Sequence, residues 1–310
     1  MSLTEQNISV MNFHYIRHTL DRFLADVCDA GVSRIELWAA APHFYIGDST
    51  LADARGLGRK VRDMGLQIVA FTPEQCVYPI NISAREPQLR DRSLRYFLTA
   101  MEHAVECGAP ALLVTAGGGY RDEPASDAMD RCVESMGLLC DRAQKLGLDL
   151  WMETLPDSFA NIVRSAKELR ALMDTLSSPA LHAVYDVAGA IMTHERPEDY
   201  FTHLAGRIAH VHFTDADASG SHLAWGDGIV DLGGLIAYLR QQNYGGSLTV
   251  ELTNWKYNVD PTRPLRQCVS AMRAVVMLEL WISVSGTLSQ RREGWLSRMR
   301  KPPISIGRSA

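Results

Sequence analysis

Short apolar runs alternate along the chain with longer stretches in which apolar residues recur every three or four positions. The short runs, rich in β-branched and aliphatic residues, predict eight strands. These are Ile8–Asn12, Arg34–Ala39, Gln67–Thr72, Ala111–Ala116, Asp149–Thr154, His182–Val187, Ala209–Thr214 and Ser247–Leu252. The longer stretches predict intervening helices, such as Gln88–Cys107, Asp127–Leu146, Ser165–Leu176 and Leu232–Gln242. Strands that alternate with helices predict a parallel sheet.

The number and order of these elements suit a closed barrel. Several predicted helices stop at a glycine, which can adopt the left-handed conformation that closes the last helical turn. These glycines are Gly31, Gly65, Gly108, Gly147 and Gly206. An open, doubly wound sheet is the alternative, but no GxGxxG motif follows the first strand, and Gly117–Gly119 follows the fourth. We therefore predict an α/β fold, a single (β/α)8 TIM barrel over residues 1–280.

Residues 281–310 have a different pattern. They contain six Lys or Arg residues against the single acid Glu293, and they end in KPPISIGRSA, in which the prolines disfavour a helix. We predict an irregular, basic C-terminal tail over this range, and a functional basic arm is the alternative.

The composition narrows the class of protein. With 46% hydrophobic residues the 310-residue chain can build a large core, and its formal net charge of −5 disfavours binding to nucleic-acid phosphates. Six cysteines without a CxxC pair favour free thiols in a reducing compartment. We find no signal-peptide pattern and no apolar run of the ~20 residues that a membrane helix needs. We expect a cytoplasmic protein that binds neither nucleic acid nor membrane.

Polar residues near the ends of the last four predicted strands supply the candidate chemistry. They are Glu153, Asp186, His212 and Glu251, embedded in the apolar segments LWMETL, AVYDVA, HVHFTD and LTVELT. The carboxyl ends of barrel strands form the active-site face, so these side chains should converge. Buried acids are rare unless they are paired or bind metal, and a salt-bridged core is the alternative. His210 points to the same side as His212 from a lower layer, where we expect it to fill the interior.

A divalent cation would remove the repulsion within such a cluster. Three close carboxylates otherwise repel one another and take up protons. Two Glu, one Asp and one His form a mostly oxygen site, which suits Mn²⁺, Co²⁺ or Mg²⁺, with Zn²⁺ as a further candidate. We therefore predict a divalent metal site built from Glu153, Asp186, His212 and Glu251.

Six stretches of the chain carry a resemblance to a known family. They are GVSRIELWAAAPH (31–43), IVAFTPEQCVYPINI (68–82), WMETLPDSFAN (151–161), VYDVAGA (184–190), HVHFTDADASGSHLAWGDG (210–228) and TVELTN (249–254). In order and spacing they resemble the xylose-isomerase-like barrel family of sugar isomerases and epimerases, over roughly residues 5–275. Within that family they are most similar to the fructoselysine 3-epimerases and less so to the ketose 3-epimerases.

The resemblance implies a metal-dependent epimerase or isomerase that acts on a ketose or a ketose derivative. The family's ligands fall on the same four residues, and its acid and base fall on Glu153 and Glu251, on opposite faces of the sugar carbon. The cation would hold the carbonyl oxygen and the neighbouring hydroxyl and stabilise an enediolate. A recurring site histidine falls on His222, where it would bind metal-proximal or substrate oxygen; an exposed loop residue is the alternative. We also expect a small-molecule sugar partner and a homo-oligomer.

Two further stretches should complete the mouth of the barrel. Glu36 and Trp38 lie on the second predicted strand with His43 in the loop that follows, and Glu74 and Tyr78 follow the third. We predict that they form a pocket wall that stacks against a sugar and hydrogen-bonds it. Ordinary packing of the loops is the alternative.

The chain departs from the ketose 3-epimerase pattern at three positions. Gly189 stands in place of a histidine, Phe159 in place of a glutamate, and Ala218 in place of an arginine. The resemblance implies substrate contacts at these positions. The departures therefore bear on which sugar is bound rather than on the metal site.

Two other functions are alternatives. An apurinic endonuclease of the same superfamily would need a three-metal cluster with more histidines at the strand ends, but the second and third strands offer glutamates and the chain is acidic. A non-catalytic sugar-binding barrel would fit Phe159 and the unusual tail. The presence of all four predicted ligands opposes that alternative.

Overall fold

The computed structural model describes residues 3–75 and 80–277 of the chain. The predicted tail at 281–310 and Tyr78 of the predicted pocket wall lie outside the described residues. Within the described ranges, no helix is both long enough and apolar enough to cross a membrane. The five cysteines that fall in these ranges are free thiols, as their scattered spacing predicts.

Eight parallel strands close into a barrel. The strands of the chain are β1 (Ile8–Met11), β2 (Arg34–Ala39), β3 (Gln67–Pro73), β4 (Ala111–Thr115), β5 (Asp149–Glu153), β6 (Leu181–Asp186), β7 (Ile208–His212), β8 (Asp215–Ala216), β9 (His222–Leu223) and β10 (Ser247–Val250). Strands β1 to β7 pair in sequence order, β7 pairs with β10, and β10 pairs with β1 to complete the ring. Strands β8 and β9 form a separate antiparallel hairpin. The predicted (β/α)8 barrel is confirmed.

Helices connect the strands on the outside of the ring. They are α1 (Leu20–Asp29), α2 (Leu51–Asp63), α3 (Pro87–Cys107), α4 (Ala125–Leu146), α5 (Ala166–Leu176), α6 (Val187–Met192), α7 (Pro197–His203), α8 (Leu232–Gln241) and α9 over residues 262–277. Thr19, Thr50 and Ser165 cap the first turns of α1, α2 and α5 with their hydroxyl oxygens. All five predicted stop glycines have positive φ, between 64° and 81°, as the sequence predicts.

Side chains alternate between the two sides of the barrel wall. On β4, Leu112 and Val114 join the large core between strands and helices. Their neighbour Leu113 packs instead with Trp151 and Val184 in a small cluster that fills the barrel interior. The interior is therefore closed by packing below the mouth, and the polar strand ends lie above it.

The hairpin of β8 and β9 is a feature that the hydrophobic pattern does not predict, because two-residue strands are too short to show a period. The carboxylate of Asp215 accepts four backbone hydrogen bonds and so holds the GDG loop (226–228) against the hairpin. The donors are the N–H groups of Ala216, Gly226, Gly228 and Val230, at 2.8 to 3.0 Å. Strand β9 lies just before this loop in the chain and carries His222 toward the mouth.

Candidate metal and active site

The ends of four strands that are neighbours in the ring bring the predicted ligands together. Glu153, Asp186 and His212 are the last residues of β5, β6 and β7, and Glu251 directly follows β10. One donor atom from each of these residues lies within 4.8 Å of the others. The site is built from regular strand ends, which fix the directions of the side chains.

His212 contacts two of the carboxylates directly. Its Nδ1 lies 2.8 Å from Glu153 Oε1 and 2.9 Å from Glu251 Oε2. The imidazole is 1% exposed, so its ring orientation is fixed by packing. Nδ1 is therefore the nitrogen of His212 that faces the cluster.

Asp186 and His222 form the other side of the cluster. Asp186 caps α6, and its carboxylate accepts the N–H groups of Ala188 and Gly189 at 3.0 and 2.9 Å. His222 places Nε2 3.3 Å from Asp186 Oδ2 and 3.4 Å from Glu251 Oε2. The hairpin thus adds a second imidazole to the four residues at the strand ends.

The acids of the cluster differ in protonation. Burial raises the pKa of Glu153 to about 7, since the attraction of His212 does not offset desolvation and the neighbouring carboxylates add repulsion. Burial also acts on Glu251, but His212 and His222 hold the pKa of that carboxyl well below its usual range. Burial alone would lower the pKa of the two histidines, yet the surrounding carboxylates raise it well above the usual value. An acid with a pKa near 7 is suited to proton transfer at neutral pH.

A second polar group lies beneath the cluster, deeper in the barrel. Glu36 on β2 is fully buried, and its carboxylate lies 2.7 Å from His210 Nε2 and 3.2 Å from His212 Nε2. Thr72 Oγ1 donates a further hydrogen bond to Glu36 at 2.6 Å. Burial opposes the charge of Glu36, but the two imidazoles hold its pKa well below the usual range. His210 also stacks on Trp151 with ring centroids 4.6 Å apart, within the interior packing.

A cavity of about 240 Å³ opens above the cluster, and we call it the metal cavity. Its lining includes Glu153, Asp186, His212, His222, Glu251, Trp38 and Glu74. Trp38 Nε1 donates to Glu74 Oε2 at 3.2 Å, which ties the predicted wall of β2 to that of β3. Apolar side chains such as Phe13, Leu155 and Met192 form much of the remaining wall.

Two residues of the predicted pocket wall lie away from this cavity. Glu36 lies below it, in contact with the two histidines. The ring of His43 is held by Asn12 Nδ2 at 2.8 Å and by the carbonyl oxygen of His18 at 2.9 Å. Asn12, which the sequence does not single out, also bonds the backbone N–H and C=O of Trp38 at 2.7 and 3.1 Å. His43 and Asn12 thus brace the strand that carries the tryptophan.

The three departures from the ketose 3-epimerase pattern have different positions. Gly189 lines the metal cavity, and a Cβ at this position would lie 2.7 Å from Asp186 Oδ2. A side chain here would therefore press on the carboxylate that caps α6. Phe159 also lines the cavity and is 60% exposed. Ala218 is exposed between β8 and β9 and is not part of the cavity wall.

The donor set fits a divalent cation. Three carboxylates and an imidazole meet within 4.8 Å, which is close enough for one ion at ~2.0–2.6 Å from each donor. The described residues that line the metal cavity include no Lys or Arg that could balance the carboxylates. The chemistry of the oxygens and one imidazole suits a hard or borderline metal ion.

A comparison of the sequence with protein-family profiles agrees with this geometry. The profile described as Xylose isomerase-like TIM barrel matches residues 24–275. The chain belongs to this family. The matched range contains every strand of the ring except β1 and all four candidate ligands.

Individual relatives of this xylose isomerase-like barrel are sugar epimerases. A fructoselysine 3-epimerase from Escherichia coli O157:H7 is 27% identical over 261 residues, which are 84% of this chain and 94% of the relative. A solved structure of a D-tagatose 3-epimerase-like protein is 17% identical, with a TM-score of 0.72 over 87% of this chain and 99% of that one. An L-ribulose 3-epimerase structure is 18% identical, with a TM-score of 0.70 over 95% and 99%. At these identities the solved structures show a shared fold.

Proposed function

We propose that this protein is a metal-dependent sugar epimerase that acts on a ketose or on a ketose derivative such as fructoselysine. The observation that carries the proposal is the convergence of Glu153, Asp186, His212 and Glu251 within 4.8 Å at the mouth of the barrel. The epimerase activities named for its relatives support the reaction class. A bound cation would balance these partly buried carboxylates, which no lysine or arginine of the described cavity wall neutralises.

We propose that the two glutamates move the proton. Glu153 ends β5, and Glu251 directly follows β10. Strands β6 and β7 separate β5 from β10 in the ring, so the two carboxylates approach the cavity from different sides. A sugar carbon between them can lose its proton to one carboxylate and receive a proton from the other on the opposite face. That exchange inverts the carbon.

The other residues hold the reacting groups. A divalent cation bound here would supply Lewis-acid polarisation of the substrate carbonyl and of its neighbouring hydroxyl, which makes the intervening proton more acidic. Asp186, fixed at the start of α6, and His212, fixed by burial, would hold the cation. His222 Nε2 would donate a hydrogen bond to substrate oxygen.

Metal removal and replacement tests this proposal. The purified protein is stripped with a chelator and assayed with D-fructose, D-tagatose and fructoselysine, before and after addition of Mn²⁺, Co²⁺, Mg²⁺ or Zn²⁺. We expect formation of the 3-epimer of at least one substrate to stop on stripping and to return with one of the ions. If no sugar is converted and one still binds in a metal-dependent way, the protein is a sugar-binding barrel instead.

Three further expectations stay predictions from the sequence. They are the end of the barrel near residue 280, a homo-oligomeric state and a cytoplasmic location. Light scattering on the purified protein measures the second of these directly.

A further inference from the structure

A second cavity of about 290 Å³ adjoins the metal cavity, and we call it the side cavity. It lies along Gly117–Gly119, the glycine loop after β4, and its wall includes Arg121, Ser158 and Asn161. The two cavities share the lining residues Gln75, Thr115, Leu155 and Phe159. A molecule bound at the metal cluster can therefore extend into the side cavity.

The two cavities have opposite charge. The described residues that line the side cavity include no Asp or Glu, and Arg121 is the one charged residue among them. Asp157 interacts electrostatically with Arg121, but its carboxylate is already paired with the guanidinium of Arg164 at 2.5 Å. The guanidinium of Arg121 is exposed, so it can form charge-assisted hydrogen bonds with an anionic ligand.

The uncharged polar groups of the side cavity act mainly as donors. The side-chain oxygen of Asn81 accepts the N–H of Gly118 at 3.1 Å, and that of Asn161 accepts the N–H of Gly119 at 2.8 Å. These acceptors are therefore occupied by the glycine loop. Asn81 Nδ2 and Asn161 Nδ2 each donate one hydrogen bond, to the carbonyl oxygens of Gly118 and Tyr120, so a second N–H of each is left for a ligand rich in acceptors.

The exposed surface of the border between the cavities is apolar, because its two polar residues, Gln75 and Thr115, are buried and the side-chain amide of Gln75 is bonded to the backbone. Leu155 and Phe159 lie on both walls, and Phe159 is 60% exposed. A charged or hydroxylated chain gains little from such a border, whereas methylene groups gain by leaving water. The path from the metal cluster is thus acidic, then apolar, then rich in donors.

We propose that the side cavity is a subsite for an anionic group that the substrate carries at the far end of an apolar stem. This inference rests on the proposed epimerase function and specifies its substrate class as a ketose with an anionic substituent. The carboxylate of an amino-acid-conjugated ketose and the phosphate of a ketose phosphate share the required chemistry. The apolar border favours the conjugate, because a sugar phosphate has no methylene stem.

Substrate discrimination in an arginine variant tests the subsite. The metal-loaded enzyme is assayed with D-fructose, D-fructose 6-phosphate and fructoselysine, in the wild type, in Arg121→Gln and in Arg59→Gln as a control on the exposed face of α2. We expect the ratio of kcat/KM for fructoselysine to that for fructose to fall about 10-fold or more in Arg121→Gln, mainly through KM. The ratio should be unchanged in Arg59→Gln.

The other outcomes distinguish a phosphate subsite, the absence of a subsite and a failure of the proposed function. Loss of discrimination for fructose 6-phosphate alone would assign the subsite to phosphate. Equal effects of Arg121→Gln on all three sugars, or none on either charged sugar, would overturn the subsite. If no sugar is converted, the proposed function fails, and calorimetric binding of fructoselysine against fructose still tests the subsite: equal affinities that Arg121→Gln leaves unchanged would overturn it.

Glu36 contacts His212 on the side of the ring that is opposite the cluster. Glu36 Oε1 is 3.2 Å from His212 Nε2, while His212 Nδ1 points to Glu153 and Glu251. An ionised carboxylate only accepts hydrogen bonds, so Nε2 must carry the proton in this contact. With a cation bound among the strand-end residues, Nδ1 would carry no proton and would direct its lone pair at the ion, so Nε2 would hold the single ring proton that Glu36 accepts.

Glu36 is itself held in one position. His210 Nε2 lies 2.7 Å from Oε2, and Thr72 Oγ1 donates to Oε1 at 2.6 Å. His210 is packed against Trp151, and both Glu36 and His210 are fully buried, so water does not compete for these contacts. We infer that Glu36 is a positioning residue that fixes the ring orientation and tautomer of His212 for metal binding.

Metal affinity, measured apart from turnover, tests the role of Glu36. We expect the Kd for Mn²⁺, from calorimetry, to rise about 10- to 100-fold in Glu36→Gln and by a smaller factor in Thr72→Val, which keeps the carboxylate and removes one donor. In the Zn²⁺-loaded wild type, the ¹⁵N shifts of His212 should show a metal-bound Nδ1 and a protonated Nε2. Unchanged Mn²⁺ affinity in both variants, or a metal-bound Nε2, would overturn the inference.

A competing role for Glu36 is that of a metal ligand, and the metal stoichiometry decides between the two roles. Donor atoms of Glu36, His210 and His212 also lie within 4.8 Å of one another, so these residues could hold an ion of their own. Glu36 is the one carboxylate of this group, and two imidazoles and the Thr72 hydroxyl already contact it, so we expect one Mn²⁺ per chain at saturation. Two ions in the wild type and one in Glu36→Gln would show that Glu36 is a ligand rather than a positioning residue.

Discussion

Asp26 and Glu153 are both carboxylates in the interior of the protein, but different groups surround them. Asp26 on α1 is 4% exposed, and it accepts hydrogen bonds from Tyr15 Oη at 2.9 Å and Thr262 Oγ1 at 2.6 Å. Arg22 Nε adds a charged donor at 2.9 Å. Burial would raise the pKa of Asp26, but these donors together lower it below its usual value. The chain itself supplies every group that this acid needs.

Glu153 has no comparable set of partners. Its neighbours include two more carboxylates and one imidazole, and the described wall of the metal cavity has no Lys or Arg. Burial raises its pKa to about 7. The contrast with Asp26 separates two reasons for burying an acid: one stabilises the fold through fixed donors, and the other leaves a charge for an exchangeable cation and for proton transfer.

The largest effect is expected on turnover when an acid of the cluster is replaced. Glu153→Gln and Glu251→Gln keep the shape of the side chain but remove a proton carrier. We expect each variant to lose at least ~10²-fold and up to ~10⁴-fold in kcat at saturating metal, because general acid–base catalysis is worth that much. Steady-state assays with the best substrate of the wild type measure the loss.

Asp26→Asn is the matched control for these variants, since it also changes a buried carboxylate to an amide. Its turnover per folded molecule should equal that of the wild type. A glutamine variant of the cluster that retains more than about a tenth of wild-type kcat would contradict the assignment of proton transfer.

Replacement of His212 should act through metal affinity rather than through the chemistry. In His212→Ala we expect a Kd for Mn²⁺ at least ~10-fold higher than in the wild type, and partial recovery of the rate as Mn²⁺ is increased. A titration of activity against Mn²⁺ measures both. A rate that does not rise at any Mn²⁺ concentration would place His212 in the chemical step.

For stability we expect the larger effect in Asp26→Asn and the smaller one in Glu153→Gln. Asp26→Asn leaves Arg22 and two hydroxyl donors without their charged acceptor, so the free energy of unfolding should fall by ~1–3 kcal/mol. In the metal-free protein, Glu153→Gln should change it little, since the substitution removes a charge that its neighbours repel. Urea unfolding at neutral pH measures both values, and a larger loss in Glu153→Gln than in Asp26→Asn would contradict the comparison.

The pH dependence of the free energy of unfolding in acid is a further test, with a smaller expected effect. The folded pKa of Asp26 lies below its ordinary value of 3.8, so its contribution is complete above that value and is lost as the pH falls through the lower folded pKa. The difference in free energy of unfolding between the wild type and Asp26→Asn should therefore be constant from about pH 7 to pH 5 and shrink below about pH 4. Urea unfolding across this range measures it, and a difference that grows in acid would reverse the sign.

The hydrophobic period and the helix-stop glycines were sufficient to predict the barrel and its strands. Strand β6, for example, is predicted as His182–Val187 and spans Leu181–Asp186. The hairpin that carries His222 is not predictable in this way, because Asp215 organises it through N–H groups up to 15 positions away along the chain. Such contacts depend on how a loop folds back rather than on any local repeat.

The candidate ligands were predictable because they are polar residues at the ends of strands whose neighbours are apolar. The depth of Glu36 in the barrel was not predictable. Glu36 lies on β2 like Trp38, and only its contact with His210, 174 positions away, shows that it lies below the cavity. Depth along a barrel strand depends on how the strands are staggered, and one sequence does not reveal the stagger.

Hydrogen exchange at the reacting carbon tests the central claim, that the strand-end acids remove and return a proton of the sugar. The metal-loaded wild type is incubated with its substrate in D₂O, and the epimeric product is analysed by NMR and mass spectrometry. We expect deuterium at the inverted carbon next to the carbonyl, because carboxylic acids in contact with water return a solvent proton. An epimer that forms without any deuterium at this carbon would contradict proton exchange through these acids and point to hydride transfer or to the return of a sequestered proton.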